Sequence, residues 1–227
     1  MITAIPDFLS EEDGARIASD LMAANFADGL ASAGWHAREV KKNLQLVAGM
    51  PGYEQPDKVV RGAIVRSAIL QMAVRPRFLH PIVFNRYDET MAYGRHVDDA
   101  VMAVPGGSPG QMRTDVSFTL FLSQPDSYGG GELVIDSGGV EHGFKPPRGT
   151  LIAYPSNTLH RVEPVTNGTR LAAIGWIQSE VRAAEHRAIL FDLDMARRAV
   201  FARDGKSATF DLLSKSHSNL LRLWVES

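Results

Sequence analysis

The chain of 227 residues contains no cysteine. That absence excludes a disulfide framework, a thiolate nucleophile, an iron–sulfur cluster and any cysteine-based zinc site. A bound metal has to be held by His, Asp, Glu or neutral oxygen ligands. An excess of one charge is also missing: 24 Lys and Arg stand against 26 Asp and Glu, a formal net charge of -2. General nucleic-acid and anionic-membrane binders carry a basic excess, so neither partner is expected. No apolar run approaches the roughly 18 residues that span a bilayer. The first residues lack the basic start and long apolar stretch of a secretory signal, and Glu11, Glu12 and Asp13 follow at once. The expected compartment is the cytoplasm. What is present is an ordinary globular balance, 44% hydrophobic and 22% charged, in a length that suits one domain with a small appendage.

The first third reads as mostly helical. Ser10 is placed to cap a helix whose first turn carries three acids, and Ile17, Leu21 and Ala24 share a face. Residues 35–56 are polar and broken by Gly49, Pro51 and Gly52, which predicts loop or short strand. Asp57 starts a second expected helix, with Val60, Ile64 and Ser67 aligned and Pro76 at its exit. From Pro81 the period changes. Short β-rich runs at 82–87, 117–122, 132–135, 151–154 and 170–178 are separated by Gly and Pro clusters, the mark of an antiparallel sandwich or barrel. In the last run, alternation puts Arg170, Ala172, Ile174 and Trp176 on one face and Leu171, Ala173, Gly175 and Ile177 on the other. Beyond Ser179 the pattern is helical again, over 183–203 and, past the Asp204-Gly205 break, through an apolar stripe from Phe210 to Trp224.

His96 and Asp98 are the first chemical signal. Residues two apart in extended backbone project to one face, so both side chains reach a single ion. His160, near a later strand end, closes a two-His-one-carboxylate triad if the strands fold over one another. Such a triad leaves positions open on octahedral Fe(II). Alone, His-x-Asp also fits a surface turn rich in acids. Arg170 follows shortly after His160. A guanidinium inside a barrel is costly unless an anion meets it. That anion is either a dicarboxylate co-substrate, paired bidentately, or an internal Asp or Glu.

Taken together, Asn85-Arg86-Tyr87, Tyr93-Gly94-x-His96-x-Asp98, Arg113-Thr114-Asp115, Gly130-Gly131-Glu132-Leu133, Tyr154-Pro155-Ser156, Leu159-His160-x-Val162 and Gly168-Thr169-Arg170 resemble the Fe(II)/2-oxoglutarate-dependent dioxygenases of the prolyl-4-hydroxylase type. Lys42-Asn43-Leu44-Gln45 and Trp176-Ile177-Gln178-Ser179 narrow the resemblance to the bacterial PKHD-type hydroxylases, over nearly the whole chain. The resemblance implies a mainly β fold with flanking helices: a double-stranded β-helix (jelly-roll, cupin-like) core over 81–179. Residues 1–80 then form helices and strands packed on that core, and 180–227 a C-terminal helical pair. It implies His96, Asp98 and His160 as iron ligands, Arg170 on the distal carboxylate of 2-oxoglutarate, and Tyr87 as a further contact to that co-substrate. The implied reaction hydroxylates an unactivated C–H, with dioxygen consumed and succinate and CO2 released. L-ascorbate is the implied activator. The substrate is a small molecule or peptide.

Competing readings remain at this level. A cupin-like metal or small-ligand binding protein would have lost oxygenase turnover, and a zinc hydrolase would leave Arg170 unexplained. Gly129-Gly130-Gly131 reads as a tight turn, since no Lys-Ser/Thr follows it. Lys41-Lys42 and Arg197-Arg198 read as solvated faces. Tyr93 and Arg95 flank the metal motif, and Arg113 and Asp115 pair across the rim or touch substrate. His80 and His142 are expected at loop or strand ends. The C-terminal stripe packs within the chain or forms a homo-oligomer contact.

Overall fold

The structure, a computed structural model, describes residues 1–32, 34, 37–104 and 110–226. In chain order, β1 (Thr3–Ile5) leads into α1 (Glu11–Ala23), and β2 (Ala27–Asp28), β3 (Lys41–Lys42) and β4 (Leu44–Leu46) precede α2 (Glu54–Arg66) and α3 (Ala68–Val74). The strand-rich centre begins with β5 (Pro76–Leu79), β6 (Val83–Tyr87), β7 (Ala92–His96), β8 (Val101–Ala103), β9 (Gln111–Arg113) and β10 (Val116–Phe121). It continues with β11 (Tyr128–Gly130), β12 (Leu133–Ser137), β13 (Val140–Phe144), β14 (Leu151–Pro155), β15 (His160–Val162), β16 (Val165–Gly168) and β17 (Arg170–Ser179). Two helices, α4 (Ala184–Asp204) and α5 (Ala208–Trp224), close the chain.

Ser10 caps α1 by accepting the Asp13 N–H at 3.1 Å, and Ile17 and Leu21 are buried on its inner face. The second helix differs from its expected form. It starts at Glu54 rather than Asp57, because Pro56 falls in the first turn, where a missing N–H costs no intrahelical bond. Asp57 is held inside the helix by the Tyr53 hydroxyl at 2.8 Å and by Arg61 at 2.7 Å. Ser67 then breaks the helix and caps α3, accepting from Leu70 N at 3.3 Å.

All strand pairings are antiparallel. The major sheet runs β1-β14-β10-β17-β6-β4-β2, with β5 also on β17, and the minor sheet runs β13-β12-β15-β7-β3. The N-terminal segment thus contributes strands to both sheets. On β17 the alternation separates two environments. Leu171, Ala173 and Ile177 join Phe84, Phe118 and Leu120 in the main core beneath the helices, with Ile17, Leu21, Val60, Ile64 and Leu70. The opposite face turns toward the minor sheet, where Phe121, Leu133, Ile135, Ile152 and Tyr154 form a second apolar cluster. Gly138 and Gly139, both at positive φ, make the two-residue turn of the β12–β13 hairpin, which requires left-handed backbone.

At the C-terminus α4 packs on α5 and on α3. The buried residues of α4 are Arg187, Leu190 and Asp194, while Ile189 is exposed. Its inner face is therefore largely polar. Arg187 donates to the carbonyls of Val181 (2.9 Å) and Arg182 (2.7 Å), which satisfies a buried cation with backbone. No helix among the described residues is long and apolar enough to cross a membrane.

Candidate active site

Strands from both sheets enclose a cavity of about 500 Å³, and His96, Asp98 and His160 lie on its wall. His96 ends β7, His160 opens β15, and the two are direct cross-strand partners. Their ring centroids are 4.2 Å apart. One donor atom from each of His96, Asp98 and His160 lies within 4.8 Å of the others. His160 Nε2 stands 3.8 Å from Asp98 Oδ2.

Each histidine is oriented by the same local device. The Nδ1 of His96 meets the Gly94 carbonyl at 2.8 Å, and that of His160 meets the Thr158 carbonyl at 3.0 Å. A carbonyl only accepts, so each Nδ1 carries the proton and each Nε2 keeps its lone pair. Asp98 is held by the Ser117 hydroxyl at 2.5 Å, itself hydrogen-bonded to Ser156 at 2.8 Å. The Tyr93 ring stacks on His96 (3.6 Å, 15°), and Tyr154 meets His160 edge-on (5.0 Å, 62°). Burial raises the phenol pKa of both tyrosines, so each hydroxyl stays protonated.

Arg170 opens β17 opposite Tyr87 of β6. Only 1% of it is exposed, and among the described residues its Nε and Nη2 have no hydrogen-bond partner. Its Cζ sits 5.2 Å from the ring centroids of both Tyr87 and Phe121. Among the described residues no carboxylate stands within ion-pair distance of it. The internal salt bridge, one of the two readings open from the sequence, is therefore not formed. Tyr87 is 1% exposed and lines the cavity, and burial raises its pKa. Beside it, Asn85 Oδ1 accepts from Gln45 (2.9 Å) and Asn43 (3.2 Å), so the early Lys-Asn-x-Gln segment converges on the cavity floor.

Other sequence features resolve plainly. Arg113 pairs with Asp115 at 3.3 Å and with Glu226 at 2.8 Å, while Asp115 accepts from Ser179 N at 2.9 Å; this cluster ties the rim to the C-terminus. Arg95 is half exposed and pairs with Asp136. Arg197 and Arg198 both pair with Asp194. Gly130 and Gly131 take positive φ beside a strand bulge, a turn rather than a phosphate loop. His80 lines the cavity and meets Trp176 edge-on at 5.7 Å. His142 is exposed on β13. Trp224 stacks on His186 at 4.1 Å, a packing contact within the chain.

Lys41 departs from its expected solvated role. It is 7% exposed and lines the cavity, while Lys42 turns outward to the Thr90 hydroxyl at 2.8 Å. Strand alternation across β3 explains the difference, but a two-residue strand leaves too short a pattern to read. Ser117 was also missed. Its signal was available: Ser117 and Thr119 are polar residues at alternate positions of an otherwise apolar strand.

Residues 82–178, which include His96, Asp98, His160 and Arg170, match the 2OG-Fe(II) oxygenase superfamily. Residues 185–226 match the PKHD-type hydroxylase C-terminal domain. A PKHD-type hydroxylase of Picosynechococcus sp. is 50% identical over 226 residues, covering 100% of both chains, and one from Acaryochloris marina is 48% identical over the same span. The chain belongs to the PKHD-type hydroxylase family, and is an Fe(II)- and 2-oxoglutarate-dependent hydroxylase. Solved structures support the fold. A Pseudomonas putida prolyl-4-hydroxylase aligns with a TM-score of 0.52 at 20% identity, over 78% of this chain and 92% of that one. HygX from Streptomyces hygroscopicus, with nickel and 2-oxoglutarate bound, aligns at 0.53 and 12% identity, over 78% and 82%. The PKHD-type relatives, at about 50% identity over the full chain, favour oxygenase turnover over the binding-protein alternative.

Proposed function

We propose that His96, Asp98 and His160 hold the iron(II), and that Arg170, with Tyr87 beside it, receives the distal carboxylate of 2-oxoglutarate. The observation that carries this reading is the guanidinium of Arg170: fully buried, with Nε and Nη2 unpartnered. A buried cation in that state calls for an anion. The donor set fits the metal as well, since two neutral imidazoles and one carboxylate suit octahedral Fe(II) with open positions.

When bound, iron(II) and 2-oxoglutarate supply the oxidising chemistry, in which dioxygen is consumed, succinate and CO2 are released and a substrate C–H is hydroxylated. The chain's residues bind, orient and exclude water. The Gly94 and Thr158 carbonyls fix the imidazole tautomers, and Ser117 fixes the Asp98 carboxylate. Tyr87 and Phe121 keep water from Arg170, so its pairing acts in a low dielectric. L-Ascorbate is the activator in this reading. Residues 81–179 carry the chemistry, with 1–80 completing the sheets and 180–227 forming the extension. Exposed Phe201, Leu212 and Leu223 on that extension serve a homo-oligomer contact. The protein works in the cytoplasm, on a small molecule or peptide and without a nucleic-acid partner.

The test is turnover. Protein given Fe(II), 2-oxoglutarate and oxygen releases succinate slowly without prime substrate, and faster with ascorbate. No release, together with no 2-oxoglutarate binding by the metal-loaded protein, overturns the reading.

A further inference from the structure

The metal triad and Tyr87 line one end of the cavity, with Arg170 beside Tyr87, and they leave two charged groups of the wall, Lys41 and Asp99, unassigned. Lys41 sits on β3 opposite Tyr93 of β7, the strand that ends in His96. Its Nζ lies 5.2 Å from the Tyr93 ring centroid, and that ring stacks on His96. Among the described residues lining the cavity it is the only Lys or Arg. Burial pulls its pKa down to about 8, while the charges of Asp28 and Asp98 pull it up.

The charge balance around Lys41 changes once the site is loaded. Asp28 is exposed to solvent, so its field is screened. Asp98, as a metal ligand, directs its charge to the cation it binds, and its attraction for Lys41 weakens. An ammonium group has three N–H donors, so a contact within the protein does not exhaust it. The wall also carries Gln45, Asn85, Asp99 and Thr119, and an apolar stretch lies among them. Val47, Ile82, Val83, Phe118, Ile174 and Trp176 line the cavity. About 500 Å³ accommodates a second small molecule beside a five-carbon diacid.

We propose that Lys41 is a specificity-determining residue that receives a carboxylate on the prime substrate, whose apolar body lies against the Ile82, Ile174 and Trp176 wall. This rests on the oxygenase reading of the same cavity, because it assigns Asp98 to the metal and Arg170 to the co-substrate. The substrate class is then a small apolar carboxylic acid or a peptide with a free C-terminus.

The test uses the full chain loaded with Zn(II) and saturating 2-oxoglutarate, with 3-phenylpropanoate and its neutral amide as probes in calorimetry. Binding of 2-oxoglutarate is measured first. Its failure in the wild type would remove the oxygenase reading itself, separately from the role of Lys41. With co-substrate bound, the acid is expected to bind about tenfold more tightly than the amide. Lys41→Met should abolish that difference while 2-oxoglutarate affinity holds, and Lys41→Arg should retain it, which guards against a folding defect in the methionine variant. Equal binding of acid and amide, or no binding of the acid at tens of millimolar, overturns the proposal. So does loss of 2-oxoglutarate affinity in Lys41→Met, which would assign the lysine to the co-substrate instead.

Discussion

At the residue scale, the role proposed for Arg170 sets co-substrate affinity against apo stability. Its unpartnered Nε and Nη2 cost the ligand-free protein desolvation energy that no bond returns. Arg170→Met is therefore expected to raise the melting temperature of the apo protein. The same change should weaken 2-oxoglutarate binding by roughly a hundredfold or more, the scale of removing one partner of a buried charged pair. Metal affinity should stay close to wild type; equal loss of both, in paired calorimetric titrations, would contradict the assigned role. Ser117→Ala frees the Asp98 carboxylate to rotate. It should lower anaerobic metal affinity by about 10- to 100-fold, as loss of a ligand's supporting hydrogen bond does; unchanged affinity would mean that Asp98 needs no such support. The metal triad was legible because His-x-Asp and a distant His carry their chemistry in their identities. Lys41 and Ser117 were not, since their roles come from which face of a strand they occupy.

At the element scale, two features position the site from outside it. Gly131 takes φ +68, and a Cβ there would press within 3.1 Å of both Arg170 and Val165 and 3.0 Å of Tyr128. Gly131→Ala should therefore weaken 2-oxoglutarate binding as well as stability, whereas Gly138→Ala, whose Cβ meets open space, should affect stability alone. Co-substrate titration of the two variants separates these outcomes. The second feature is the docking of α5. Arg75 Nη2 donates to His217 Nε2 at 2.8 Å, which requires a neutral ring. Burial, then the charges of Arg197 and Arg75, lower the His217 pKa, and Asp194 opposes them. The unfolded chain then takes up the proton more readily than the folded one. Stability from this contact is present above the ordinary value of 6.5 and is lost as the pH falls below it, toward the folded value. Melting temperature should drop between pH 7 and 5.5, and less steeply in His217→Gln; parallel curves would rule out His217 as the titrating group. The helices at either end of the chain were readable, but the start of α2 and the break at Ser67 that makes α3 a separate helix were not, because Pro56 punctuates a sequence whether it ends a loop or sits in a first turn, and Ser67 continues the period of the helix it ends.

At the scale of the whole molecule, the division of labour follows from the two faces of the major sheet. One face is apolar and lies under α1–α3 with the main core. The other carries Arg170, Tyr87 and Ser117 toward the minor sheet, which brings His96 and His160. The alternation of β17 was enough to foresee this separation. The pairing order was not, since long-range register depends on contacts that no local pattern encodes. The extension adds a polar seam, with Arg187 and the Arg113–Asp115–Glu226 cluster joining it to the rim. The central claim is that one cavity holds the metal on His96, Asp98 and His160 and the co-substrate on Arg170. Anaerobic titration of 2-oxoglutarate into the Fe(II)-loaded protein, followed by visible absorption, tests it most directly, because a charge-transfer band needs both at one site. The account predicts a saturable band in the wild type, no band in His96→Ala or Asp98→Ala, and a band in Arg170→Ala only at far higher 2-oxoglutarate. A wild-type protein without the band, or triad variants that match the wild type, would contradict it.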